Sequence, residues 1–366
     1  MVEPAAHNGL VGGSSPSGPT VVPTVAEWAA APRLGDCGAD GEPCVQRRRP
    51  ASRHLIASAL GLIVAALAVF ALGRLSREIT FAAVVAAISA TPPATLGLAA
   101  ALTVVSYLIL TGYDWLALDH LGYRLPLVTV ATAAFTSFTM SHTLGMTALT
   151  GGTVRYRLYT RVGVAPRDIV MIIALCGWTF WLGLVFAAGI GLTLDPSVAA
   201  MVDVLPPTLS RWAGPLLLGS AVGYMIIAAC FRREFGVFGL RVRLPGWQST
   251  AAQLVVGGLD LTAAAGALYV LLPAASLPSF SGIVVVYAVA MIAGALSHSP
   301  GGLGVFEIVV VAMLRHMPRE GVIAALFMFR MLYTLIPFVA GLAVLARTEL
   351  VALSRRRAAM RAPGAP

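Results

Sequence analysis

The sequence predicts an all-α polytopic membrane protein, with about six full spans plus two glycine-broken re-entrant segments that form a candidate inverted repeat. Three observations carry this. The 366 residues are 58% hydrophobic and only 11% charged, whereas a soluble domain carries about 25% charged residues. Apolar runs of span length, about 20 residues, recur near 54–73, 94–118, 125–142, 168–193, 212–231, 249–273, 281–298 and 321–346. The arginines, finally, become sided only if two of those runs turn back. Lipid offers the backbone no hydrogen-bonding water, so spanning segments are helices or closed barrels. Long runs without strict alternation select helices.

Residues 1–53 are rich in Gly, Pro, Ser and Ala and read as a disordered cytoplasmic tail. They lack a charged start followed by an apolar core, so they do not read as a signal peptide. Arg47, Arg48, Arg49 and Arg53 abut the first span and hold the tail on the cytoplasmic side. The transmembrane domain then covers 54–348, and a basic cytoplasmic tail covers 349–366. All 25 basic residues are arginine, a bias that a GC-rich genome explains without any demand for phosphate binding. Cys37 and Cys44 lie in the tail, Cys176 and Cys230 in spans, and no CxxC pair occurs. Neither a metal site nor a disulfide framework is indicated.

If all eight runs cross in turn, the arginines divide almost evenly between the two faces. If the segments 125–161 and 281–314 each cross an even number of times, 18 arginines fall inside and 5 outside, with Arg33 in the tail and Arg330 within a span left over. The positive-inside rule selects the second arrangement. Both termini are then cytoplasmic, the first segment opens to the cytoplasm and the second to the outside. Charge parity does not separate a re-entrant hairpin from two short spans.

These two segments resemble each other. Residues 125–142 and 281–298 are equally long and both end in Ser-His, at His142 and His298. Glycine breaks follow, Gly151 and Gly152 in the first and Pro300, Gly301, Gly302 and Gly304 in the second. Paired, interrupted segments entering from opposite faces are the pattern of inverted-repeat transporters around a midplane site.

Several side chains carry candidate chemistry. Thr129, Thr132, Thr136, Thr139 and Thr143 recur at 3-4-3-4 spacing, which places them on one helix face, as interhelical glue or as a polar track. Asp114, Asp260, Glu307 and Arg330 sit in apolar runs at a cost of roughly 2.5–3.5 kcal/mol each. Asp260 and Arg330 either neutralise each other or line a pocket together with Glu307, and His142 and His298 are either structural, hydrogen-bonded residues or proton relays on that pathway. Glu307 begins a half-helix after the second break, where it meets a cation or satisfies the helix end. Arg330, Tyr333, Thr334 and Pro337 share a face at i, i+3, i+4 and i+7, so Arg330 looks inward. Arg155, Arg157 and Arg161 interleave with Tyr156 and Tyr159. They serve as positive-inside anchors or as ligands of a lipid phosphate, which arginine grips bidentately.

No GxSxG, HExxH or P-loop pattern occurs, so no hydrolase, metalloprotease or nucleotide-driven pump is predicted. No enzyme activity, cofactor, metal or nucleic-acid partner is expected. The stretches "ALTGGTVRYRLYTRVGV", "SHSPGGLGVFE" and "FRMLYTLIPFVAG" resemble the flippase-type transmembrane region of lysylphosphatidylglycerol synthases, over nearly all of 54–350. "GYDWLAL" and "LYVLLP" fit the same pattern. The resemblance implies movement of a phospholipid or isoprenoid-type lipid between leaflets of the bacterial inner membrane, with Arg155, Arg157, Glu307 and Arg330 in the pathway. The aminoacyl-transfer domain of a full synthase is not expected here. The alternatives are a non-transporting accessory subunit of a lipid-biosynthetic enzyme and a small-solute secondary transporter.

Overall fold

The computed structural model describes Ala86 and residues 89–361, apart from 146, 148, 201–206, 231–233, 238–239, 244, 275–276 and 298–299. The predicted first span at 54–73, the tail 1–53 and His298 lie outside the described residues. The chain is an all-α membrane protein, with one short antiparallel hairpin, Glu234–Val237 against Leu240–Arg243.

Five described helices are long and apolar enough to cross a membrane. They are α1 (Pro93–His120), α4 (Pro166–Leu194), α6 (Pro207–Cys230), α7 (Trp247–Leu271) and the rod formed by α10 (Arg319–Phe329), a π turn (Arg330–Leu335) and α11 (Ile336–Arg361). A short α5 (Ser197–Ala200) precedes α6. Proline opens α1 and α4 at their first positions, where its missing N–H costs nothing. The helices bury polar residues and expose apolar ones. On α1, Ser106, Tyr107, Tyr113 and Asp114 are buried while Leu98, Val104 and Leu108 face outward. Ionisable groups in spans turn inward in this way.

The two predicted segments are helix–break–helix hairpins. The first is α2 (Leu127–Leu144) and α3 (Thr150–Tyr159), and the second is α8 (Phe280–Leu296) and α9 (Val305–Met313). Their return arms hold 10 and 9 residues, or about 15 Å at 1.5 Å per residue. That falls well short of a bilayer core of about 30 Å and fits the re-entrant form.

The first break is not where the sequence places it. Gly145, at φ 70°, ends α2, and Gly151 and Gly152 lie inside α3. They are small for packing: a Cβ on Gly151 would fall on Ser141 Oγ and the Ser137 carbonyl of α2, and one on Gly152 on Ile173. The second break is as expected, a 3-10 turn at Pro300–Gly302 followed by Gly304 ahead of α9.

Contacts between loops fix which helix ends share a face. Arg161 pairs with Glu349, 2.7 Å, and Tyr123 donates to Asp168, 2.7 Å. Elsewhere Asp195, after α4, accepts from Ser197 and from Ser279, the N-cap of α8. Those hydroxyl donors, Ser197 foremost, hold its carboxyl below the usual carboxylate range. Gly321 lies against Pro273. Eight simple crossings would put Arg161 and Glu349 on opposite faces, and likewise Tyr123 and Asp168, and Gly321 and Pro273.

Candidate functional site

The tips of the two hairpins meet. A Cβ on Gly301 would strike the backbone carbonyls of His142 and Thr143 at the end of α2. Gly301 also has φ 60°, a left-handed conformation that disfavours any side chain. At this junction Arg330, at the start of the π turn, donates from Nε to Glu307 Oε1, 2.6 Å, and from Nη1 to the Gly301 carbonyl, 3.1 Å. Glu307 Oε2 accepts from the Gly304 N–H, 2.7 Å, so the carboxylate both answers the cation and satisfies the end of α9. Arg330 lies over the Phe306 ring, 5.0 Å to its centroid, and is only 8% exposed. Its Nη2 meets no acceptor among the described residues. As predicted, Tyr333, Thr334 and Pro337 are buried with it.

Asp260 does not pair with Arg330. Its Oδ1 accepts from Ser106 Oγ, 2.5 Å, and its Oδ2 from Tyr113 OH, 3.1 Å. Ser106 is 2.8 Å from Tyr333 OH. Tyr107 donates to the Tyr333 carbonyl, 3.1 Å, and lies 3.4 Å from His142 Nδ1. The His142 and Tyr333 rings stack at 5.8 Å. A buried polar network thus runs from Arg330 to Asp260 by way of the π turn.

The three arginines of the first hairpin part company. Arg155 is fully buried and grips Asp114 of α1 with Nη2 at 2.7 Å and Nε at 3.1 Å to both oxygens. Tyr159 donates to the same carboxylate, 2.7 Å, and Cys176 Sγ lies 3.3 Å from it. Arg155 is therefore no part of the expected surface row. In a helix, positions 155 and 159 share a face and 157 and 161 share another. Arg157 and Arg161 are the exposed pair, both on Glu349 of α11, at 3.4 and 2.7 Å.

Four of the five threonines of the stripe spend their hydroxyl hydrogens within their own helix, and Thr139 also lies against Gly341 of α11. Thr132, Thr136, Thr139 and Thr143 each donate to a carbonyl of α2 itself, the back-bonding open to hydroxyls in helices. Beside the network, a groove of about 310 Å³ between α1 and α7 is lined by apolar side chains including Leu102, Ile109, Leu259 and Phe280. Among the described residues no group of His, Cys, Asp and Glu is placed to hold a metal.

The family model for the lysylphosphatidylglycerol synthase TM region matches residues 58–341. The chain belongs to this family. It is 35% identical over 260 residues to "Uncharacterized protein slr0712" of Synechocystis sp., covering 70% of this chain and 80% of that protein. It is 34% identical over 249 residues to "Inner membrane protein YbhN" of Escherichia coli, covering 67% and 77%. Within this member of the family, sequence reasoning missed Ser106, Tyr107, Tyr113 and Cys176. The first three were readable, because they fall on the stripe of α1 that also carries Leu110 and Asp114, all buried. Cys176 carries no local signal.

Proposed function

We propose that the chain moves a phospholipid or isoprenoid-type lipid between leaflets of the bacterial inner membrane, with both termini in the cytoplasm. The observation that carries this reading is the junction of the two broken hairpins, where Arg330 Nη2, beside Glu307, has no acceptor among the described residues. Non-helical backbone at membrane depth is stable only inside protein or along a cavity, and anions bind where helix N-termini and arginine converge. Arg157 and Arg161 collect the headgroup phosphate at the cytoplasmic face, in competition with Glu349. The polar network carries the headgroup past the hairpin tips, and the apolar groove between α1 and α7 accommodates a tail. Membership of the family and likeness to an inner membrane protein support the location and the lipid substrate.

The test is leaflet exchange of a headgroup-labelled fluorescent phospholipid in vesicles holding the purified chain. Arg330→Lys keeps a cation for Glu307 but loses the fork. One charge-assisted hydrogen bond is worth about 1.5–3 kcal/mol, so exchange should fall about tenfold or more. Wild-type protein no faster than protein-free vesicles would sink the proposal and favour the accessory-subunit reading, in which a lipid-biosynthetic enzyme copurifies with the chain.

A further inference from the structure

Asp260 is the one charged group of the network whose role the lipid pathway leaves open. It is 5% exposed and, among the described residues, takes part in no ion pair, in contrast to Asp114 on Arg155 and Glu307 on Arg330. Both carboxyl oxygens face hydroxyls, Ser106 on one and Tyr113 on the other. A buried carboxylate without a cation is expensive, since the cost of taking a charge out of water is offset only by pairing. Protonated, the same acid keeps a bond to each hydroxyl, donating to Ser106 and accepting from Tyr113, without the cost of a buried charge.

We propose that Asp260 is a proton-binding site that couples the pathway to a proton gradient. The coupling rests on the lipid-transport reading above; the proton binding does not. The step is simple: the carboxylate takes a proton from hydronium and leaves water, and the only bond formed is the O–H of Asp260.

Its consequence follows from the hydroxyl chain. With Asp260 ionised, Ser106 donates to Oδ1, so Tyr333 donates to Ser106. With Asp260 protonated, Oδ1–H donates to Ser106, which turns its own hydrogen towards Tyr333. Tyr333 must then rotate its O–H, and Tyr287 of α8 stands within hydrogen-bonding reach of it. Tyr333 lies in the π turn that begins at Arg330, so a proton at Asp260 changes the bonding of the element that holds the phosphate fork. π turns inside helices recur at functional sites.

The groups facing Asp260 are Tyr107 and Tyr113 of α1, Tyr287 of α8 and Tyr333. Cys176 of α4 reaches it only through Tyr113, and the Arg330 cation acts on Tyr287 and His142 one layer out. Tyrosine and cysteine are neutral when protonated, so Asp260 is the group among these whose charge a proton removes within a hydroxyl-only shell.

Infrared difference spectra of the purified protein at stepped pH test the proton binding. A carboxylic C=O stretch that titrates reversibly and is absent in Asp260→Asn is the expected result. Ser106→Ala, which keeps the carboxyl and removes one donor, should displace its midpoint, so the test survives if Asp260→Asn fails to fold. A spectrum with no titrating carboxyl, or one that persists unchanged in both variants, overturns the site. The coupling is read in vesicles under an imposed pH difference. One unit should shift the steady-state leaflet ratio of the labelled lipid by up to about tenfold for one proton per lipid, and the shift should vanish in Asp260→Asn. Exchange that ignores the pH difference, or follows a sodium gradient at fixed pH instead, overturns the coupling. A titrating band in a protein that exchanges no lipid leaves the proton site standing and refutes the transport reading.

Discussion

Arg155 and Arg157 are two residues apart and identical in sequence, yet one is fully buried and the other is exposed. The difference is helical phase: Gly151, Gly152, Val154, Arg155, Leu158 and Tyr159 form the buried stripe of α3. That stripe is legible in the sequence, because small, apolar and aromatic residues recur with the helical period around Arg155. Its partner is not legible. Asp114 lies on another helix, and local spacing says nothing about which of several in-span acids an arginine meets; the same gap made Asp260 an apparent partner of Arg330. Removing one member of a buried ion pair leaves the other uncompensated, at about 3–5 kcal/mol. Arg155→Ala and Asp114→Ala should each lower thermal stability by that order in detergent, and the double variant should cost less than their sum. Arg157→Ala with Arg161→Ala should cost no more than about 1 kcal/mol, the range of exposed ion pairs, while slowing lipid exchange. Equal destabilisation by both sets would contradict the division between a buried pair and a surface pair.

At the level of elements, the hairpins were legible because arginine counts demand even crossings, although the first break was misplaced. Adjacent glycines read as a break, yet Gly151 and Gly152 instead let α3 lie close on α2 and α4. A single glycine, Gly145 at φ 70°, makes the turn. Glycines also permit a close helix approach: a Cβ on Gly183 of α4 would fall on the backbone of Gly257 of α7. Small residues permit such contact between membrane helices. The meeting of the two hairpins depends in the same way on Gly301. Gly301→Ala should add about 1–3 kcal/mol of backbone strain as well as the clash with His142 and Thr143, and so lower the unfolding temperature and abolish exchange. Gly177→Ala is the control. Its Cβ would meet nothing within 4 Å, and alanine favours the helix, so stability should hold or rise. A Gly301→Ala protein as stable and active as Gly177→Ala would show that the hairpin contact is dispensable.

For the whole molecule, charge and contact were independent routes to one arrangement. The arginine count uses the placement of charge along the chain, whereas the loop contacts use positions in space, and the two agree. Arg161, Glu349, Tyr123 and Asp168 belong to the face that the count makes cytoplasmic. Asp195, Ser279, Pro273 and Gly321 belong to the other. Charge adds an expectation that contact lacks, the absolute direction, because arginine is retained where it is synthesised. Contact supplies what charge lacks, the return of each hairpin within the bilayer. The combined reading predicts that residue 157, in the first hairpin, faces the cytoplasm and residue 319, after the second, faces outward. Arg157→Cys and Arg319→Cys, in a chain with Cys37, Cys44 and Cys230 replaced by serine and buried Cys176 retained, place one accessible thiol on each face. An impermeant maleimide added to intact cells permeable only at the outer membrane should label residue 319 at once, and residue 157 only after the inner membrane is opened. Labelling of both from the same side would require an even number of crossings between them and would exclude the paired re-entrant hairpins on which the transport reading stands.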